Sequence, residues 1–125
     1  MAVNIEVYQQ IKATLDSKNV CLVAVSKTKP VSDILDLHLQ GQRHFGENYV
    51  QELVDKYERL PKDIRWHFIG HLQSNKVKYI APFVYLIHGV ESLKLLQEIN
   101  KQAIKNNRII KFLFQIYIAS EETKF

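Results

Sequence analysis

The sequence predicts an α/β fold on a parallel sheet, and three observations carry that prediction. Short apolar runs alternate with amphipathic helical patterns five times along the chain. The first run, Leu22-Val23-Ala24-Val25, lacks polar alternation, as strands covered on both faces do. Each run finishes in polar or ionisable side chains, and in parallel α/β folds the ligand side lies at the carboxyl ends of the strands.

The elements follow in order. Ile5, Tyr8, Ile11 and Leu15 recur at helical spacing, and Asp16 to Asn19 form the polar turn after them. Val20 to Ser26 reads as the first strand, with Cys21 at its head as a small buried hydrophobe. Pro30 opens a helix whose buried stripe is Ile34, Leu35 and Leu39, and Gly41 stops it. A short strand over Arg43 to Asn48 precedes a helix with Val50, Leu53, Val54, Tyr57 and Leu60 inward. Gln51, Glu52, Asp55, Lys56, Glu58 and Arg59 face solvent, and Pro61 ends the element. Ile64 to Gly70 is the third strand, followed by a short helix through Val77 and Ile80 that stops before Pro82. Phe83 to Gly89 is the fourth strand. The next helix turns Leu95, Leu96, Ile99 and Ala103 inward, and Ile109 to Ile118 forms the fifth and most apolar strand.

Alternation of this kind calls for right-handed crossovers and leaves two architectures, a Rossmann-type sheet or a (β/α)₈ barrel. No Gly-x-Gly-x-x-Gly follows the first strand, which disfavours the dinucleotide-binding form. A barrel needs eight strands over about 250 residues, and this chain of 125 residues supplies five. It reads as a single domain over residues 1–125, the N-terminal part of such a barrel.

Composition narrows the function classes. Hydrophobic residues make up 46% and charged residues 24%, a globular balance that argues against disorder. The net charge of +4 suits anionic ligands, but the basic residues are scattered and form no nucleic-acid footprint. There is one cysteine, no signal-peptide pattern and no apolar run of membrane-spanning length. The expectation is a cytoplasmic protein that engages neither membrane nor nucleic acid.

The rim of strand ends contains Lys27, then Glu47 and Asn48, then His71, then Glu91 and Ser92, then Ser120. Lys27 shares a strand face with Val23 and Val25, so its stem is expected to start inside the barrel. Burial disfavours an ammonium, and a neutral amine attacks an aldehyde or ketone to give a Schiff base. Lys29 adds like-charge pressure if it also points inward. A pair of lysines serving as a phosphate anchor is the competing reading. Glu47 is read as a structural carboxylate bonded to neighbouring strands, and Trp66 and His67 as packing residues.

Leu22 to Pro30 (LVAVSKTKP), Phe45 to Glu52 (FGENYVQE) and Trp66 to Lys76 (WHFIGHLQSNK) resemble the signature stretches of the pyridoxal phosphate homeostasis proteins. Gln115 to Ser120, with Glu122-Thr123-Lys124, resembles the same family's fifth-strand segment. These are single-domain barrels similar to the N-terminal domain of alanine racemase. The resemblance implies pyridoxal phosphate (PLP) as cofactor, held as a Schiff base on Lys27, with Lys29, Asn48, His71 and Ser74 near it. It implies PLP homeostasis without catalytic turnover, in a monomer. The alternatives are a PLP-dependent racemase or lyase, with Tyr49 or Tyr117 as the second acid, or a truncated fragment that does not retain PLP. Family members run to about twice this length, so the phosphate-holding loop of the later strands is expected to be missing. Open barrel edges would then invite association.

Overall fold

The computed structural model describes residues 3–118. Helix α1 spans Ile5–Ser17, strand β1 Ala24–Val25, α2 Val31–Leu39, β2 His44–Glu47, α3 Val50–Arg59 and β3 Arg65–Phe68. A short 3₁₀ turn over Ser74–Lys76 leads into α4 (Val77–Ile80), then β4 (Leu86–Val90), α5 (Leu93–Lys105) and β5 (Lys111–Phe114). All four strand pairings are parallel, in the order β1-β2-β3-β4-β5. A doubly wound sheet reverses its strand order at a switch point. This one never reverses, so the winding is that of a barrel.

The register divides the sheet into two unlike faces. Ala24 lies beside Phe45, Phe45 beside Trp66, Glu47 beside Phe68, and Phe68 beside Ile87. This face is buried against Ile34 of α2, Leu53 of α3, Val77 and Ile80 of α4, and Ile99 of α5. The opposite face carries Val25, Gly46, His67 and Leu86 in register. No helix among the described residues covers it, and Val25 is 55% exposed. Thus β1 is covered on one face only, not on both. The apolar run is explained by the barrel winding, in which inner faces pack against strands across the barrel.

Three helices end in the same way, each on a residue type that tolerates a left-handed backbone. Asn19, Gly41 and Asn107 adopt positive φ of 57°, 100° and 53°. Beyond them, Val20 N–H donates to Leu15 O at 2.9 Å, Gln42 N–H to Leu37 O at 3.1 Å, and Arg108 N–H to Ala103 O at 2.9 Å. These closures satisfy carbonyls that the last turn leaves free. At the other ends, Asn4 Oδ1 accepts from Val7 N–H and Ser92 Oγ from Leu95 N–H, both at 3.1 Å.

Several sequence expectations are corrected. Paired β1 is two residues long, and Cys21 is exposed rather than buried, because the chain before Ala24 runs outside the ladder. In α2 the inward residues are Ile34, Val31 and Leu37. Leu35 and Leu39 are exposed, because the helix turns Val31, Ile34 and Leu37, three residues apart, towards the sheet. Strand β5 covers Lys111–Phe114, and each of its residues is exposed. It is the sheet's edge, with no helix behind it among the described residues. Ser120 and the Glu122-Thr123-Lys124 stretch lie outside the described residues. No helix among the described residues is long and apolar enough to cross a membrane.

Leu53, fully buried between α3 and the sheet, is expected to cost about 2–5 kcal/mol when truncated to alanine. Leu39→Ala, at a side chain 81% exposed, is expected to stay within about 0.5 kcal/mol of the parent. Urea unfolding of the two variants checks the assignment of the buried face.

Candidate functional site

The carboxyl end of β1 runs into a tight turn closed by Lys29 N–H donating to Ser26 O at 3.0 Å. Lys27 and Thr28 are its central residues. Thr28 has φ of 63°, a left-handed conformation that disfavours a β-branched side chain. Its amide donates to Glu52 Oε2 at 2.6 Å, which ties the turn to the first turn of α3.

Beneath the turn lies a buried polar cluster. Lys56 Nζ donates to Ser26 O at 2.7 Å, to Glu47 Oε2 at 2.8 Å and to Glu52 Oε2 at 2.7 Å. Ser26 Oγ donates to the same Glu47 oxygen at 2.5 Å. Glu47 is fully buried, and its Oε1 has no hydrogen-bond partner. Burial pushes the Glu47 carboxyl above its ordinary value, against the pull of Lys56 and Ser26. The structural reading of Glu47 holds in its geometry: the carboxylate ties β2 to the end of β1 and to α3. The solvent-facing reading of Lys56 does not hold, since the residue is 5% exposed. Its spacing from Glu52 marks an i,i+4 pair, but only the fold brings Glu47 beneath it.

The residues expected to form the site are spread along the rim. Lys27 is exposed. Its expected burial is not met, because it sits at the centre of the turn beyond the two paired residues of β1. Lys29 lines a pocket of about 260 Å³ with Ser26, Asp33 and Phe45. Asn48 and His71 share a second pocket of about 230 Å³ with Gln73 and Lys76. His71 and Ser74 line a larger cleft of about 790 Å³, together with Glu91, Lys94 and Glu98. His71 Nδ1 stands 3.8 Å from Glu91 Oε1 and is largely exposed. Gly70 is a close-approach glycine, because a Cβ there would meet the Asn48 carbonyl oxygen at 2.4 Å. Of the two tyrosines weighed as acids, Tyr49 is exposed beside the start of α3. Tyr117 lies beyond β5, outside any strand, and donates to Glu91.

A feature not anticipated from the sequence crosses the inner face of the sheet. His44 Nδ1 is 2.9 Å from His67 Nε2, and His67 Nδ1 is 2.9 Å from His88 Nε2. Tyr85 packs against the rings of His44 and His67. A neutral imidazole has one N–H and one acceptor nitrogen, so His67 donates to one neighbour and accepts from the other. Burial lowers its pKa to about 4, with further pressure from His44 and His88. Burial also lowers His44, helped by Arg65, Lys12 and Lys111, and it lowers His88. Trp66 and His67 are buried, as their packing assignment requires. No group of His, Cys, Asp and Glu among the described residues is arranged to hold a metal ion.

The winding and the polar rim define the class: a barrel-type α/β chain whose ligand side is the carboxyl ends of its strands. Comparison with known proteins then gives its relatives. No protein-family model matches the chain. The pyridoxal phosphate homeostasis protein of Schizosaccharomyces pombe is 40% identical over 117 residues, covering 92% of this chain and 49% of its own length. That of Aquifex aeolicus is 45% identical over 104 residues, covering 82% and 46%. The human protein of the same name is 41% identical over 112 residues, covering 82% and 41%. Among solved structures, PipY of Synechococcus elongatus without PLP superposes with a TM-score of 0.80 at 36% identity, over 90% of this chain and 55% of PipY. The PLP-bound form of PipY gives 0.79 at the same identity and coverage. By sequence and by backbone, the chain is a homologue of the pyridoxal phosphate homeostasis proteins, as its motifs indicated. It spans about half the length of the curated relatives it matches.

The histidine chain predicts a pH dependence. A histidine with a lowered folded pKa binds fewer protons folded than unfolded between about 4 and the ordinary 6.5. Stability therefore falls as pH drops through that window. Melting temperatures measured from pH 7.5 to 4.5 are expected to decline on acidification, with a shallower decline for His67→Gln.

Proposed function

We propose that the chain forms the N-terminal part of a PLP-binding barrel, that Lys27 is the covalent anchor, and that the protein serves PLP homeostasis without catalysing turnover. The observation that carries this reading is the placement of Lys27. It is an exposed primary amine at the carboxyl end of a barrel-wound strand, on a turn fixed from below by Glu52 and Lys56. The relatives support the reading, being named for PLP homeostasis rather than for a reaction, and PipY has been solved with PLP bound.

PLP supplies an aldehyde that condenses with a primary amine and releases water. The donor set fits that part of the cofactor. Lys29, Asn48, His71 and Ser74 stand on the same rim and are proposed as its surroundings, with Asn48 and His71 lining one pocket and His71 and Ser74 another. The phosphate is a separate matter. Gly41, Gly46, Gly70 and Gly89 are isolated in sequence, and the space above Gly46 and Gly70 is taken by Ile69 and Asn48. The described residues therefore offer no glycine-rich cradle, and none of the phosphate contacts is assigned to them.

Borohydride reduction after incubation with PLP, followed by peptide mass spectrometry, tests the anchor. A pyridoxyl adduct is expected on the peptide carrying Lys27 and is expected to vanish in Lys27→Ala. An adduct that survives that substitution at the same yield would refute the assignment. In deuterated water with PLP and alanine, no deuterium is expected at the amino-acid α-carbon. Incorporation above the protein-free rate would make the chain a catalyst.

A further inference from the structure

We infer that Glu52 and Lys56 are positioning residues, which hold the turn presenting Lys27 in a single backbone conformation. The inference deepens the reading of Lys27 as the PLP anchor and rests on it for its functional meaning. Neither residue bonds to the Lys27 side chain in the structure. They act on the backbone at either side of it.

On one side, Lys56 Nζ donates to the carbonyl of Ser26 at 2.7 Å, the residue before Lys27. On the other, Glu52 Oε2 accepts from the amide of Thr28 at 2.6 Å, the residue after it. The same Glu52 oxygen accepts from Lys56 at 2.7 Å, so the two grips share one ion pair. Both come from α3 at i,i+4 spacing, which makes the helix a single rigid body holding the turn. Lys56 has three N–H donors and uses them on Ser26, Glu47 and Glu52. A lysine needed only for solubility would not be 5% exposed.

The turn needs such a grip. Thr28 sits at φ of 63°, where a β-branched residue is strained and persists only when its surroundings fix it. Its hydroxyl donates to Lys27 O at 2.6 Å, which adds a local restraint but no link to the core. Remove the Glu52 acceptor, and the Thr28 amide has no partner from another element. The turn can then relax towards ordinary φ, and Lys27 loses its fixed bearing. Orientation of a reacting group is a rate factor in its own right.

Glu52 is the residue to change, because its side chain is 24% exposed and carries no part of the hydrophobic core. The full chain is compared as wild type, Glu52→Ala and Glu52→Gln, the last keeping an acceptor oxygen at the same reach. Without PLP, amide exchange at Thr28 and the Cα shifts of Lys27 and Thr28 are followed by NMR. With PLP, the rate of borohydride-trapped capture on Lys27 is followed by mass spectrometry. Glu52→Ala is expected to speed Thr28 exchange by about tenfold, from the loss of a charge-assisted hydrogen bond. It is also expected to move both Cα shifts and slow capture severalfold, while Glu52→Gln recovers most of each change. Wild-type exchange and shifts in Glu52→Ala would overturn the inference, as would faster exchange with capture unchanged. Should wild type capture no PLP on Lys27, the proposed function falls, and the PLP-free readouts alone decide whether α3 holds the turn.

Discussion

The ion pair between Lys56 and Glu47 is the interaction on which the geometry of the β1 turn depends. Two charges withdrawn from water are tolerated only when their remaining hydrogen-bonding capacity is filled. Lys56 meets that condition by reaching three oxygens at once, and these belong to the end of β1, the end of β2 and the start of α3. One side chain thus joins three elements at the rim. Glu47 meets it less completely, with one oxygen shared by Ser26 and Lys56 and the other without a partner. The residual desolvation appears in the raised pKa of its carboxyl. The packing of Phe45, Leu53 and Phe68 would hold the helix on the sheet without this cluster. The cluster adds direction, fixing which residue of the β1 turn lies over which residue of α3.

Most of the fold was legible because it depends on local periodicity and on end signals. The stripes of α3 and α5 follow helical spacing, and Leu53, Leu60, Leu95, Ile99 and Ala103 are buried as that spacing requires. Asn19, Gly41 and Asn107 are residue types that tolerate positive φ, and each ends a helix. The failures have one physical origin. Whether an apolar run is covered on one face or two, and whether a helix lysine faces water or a carboxylate, depends on partners far away in sequence. Val25 looks like a buried strand residue until its inner face proves open. Lys56 looks like a surface partner of Glu52 until Glu47 is found beneath it.

The candidate residues were legible only as positions along the rim. Lys27, Asn48, His71 and Ser74 follow the ends of β1, β2 and β3 in the chain, as the polar ends of parallel strands do, and they are spread out rather than gathered. Their division among separate pockets was not visible, since strand ends give order around the rim but no depth. Nor was the histidine chain. His44, His67 and His88 occupy inner-face positions on three successive strands, and their alignment follows from a register that the sequence does not display. Once aligned, they line part of the sheet's inner face with rings that hydrogen-bond to each other.

The unreversed strand order has a kinetic meaning as well as a geometric one. Every strand from β2 onward pairs with the strand one β/α unit before it, and no pairing among the described residues reaches further back. Each closure therefore spans a single unit, which bounds its entropic cost. The sheet can be extended in one direction, each new strand pairing with the edge left by the one before and the connecting helix docking as that ladder closes.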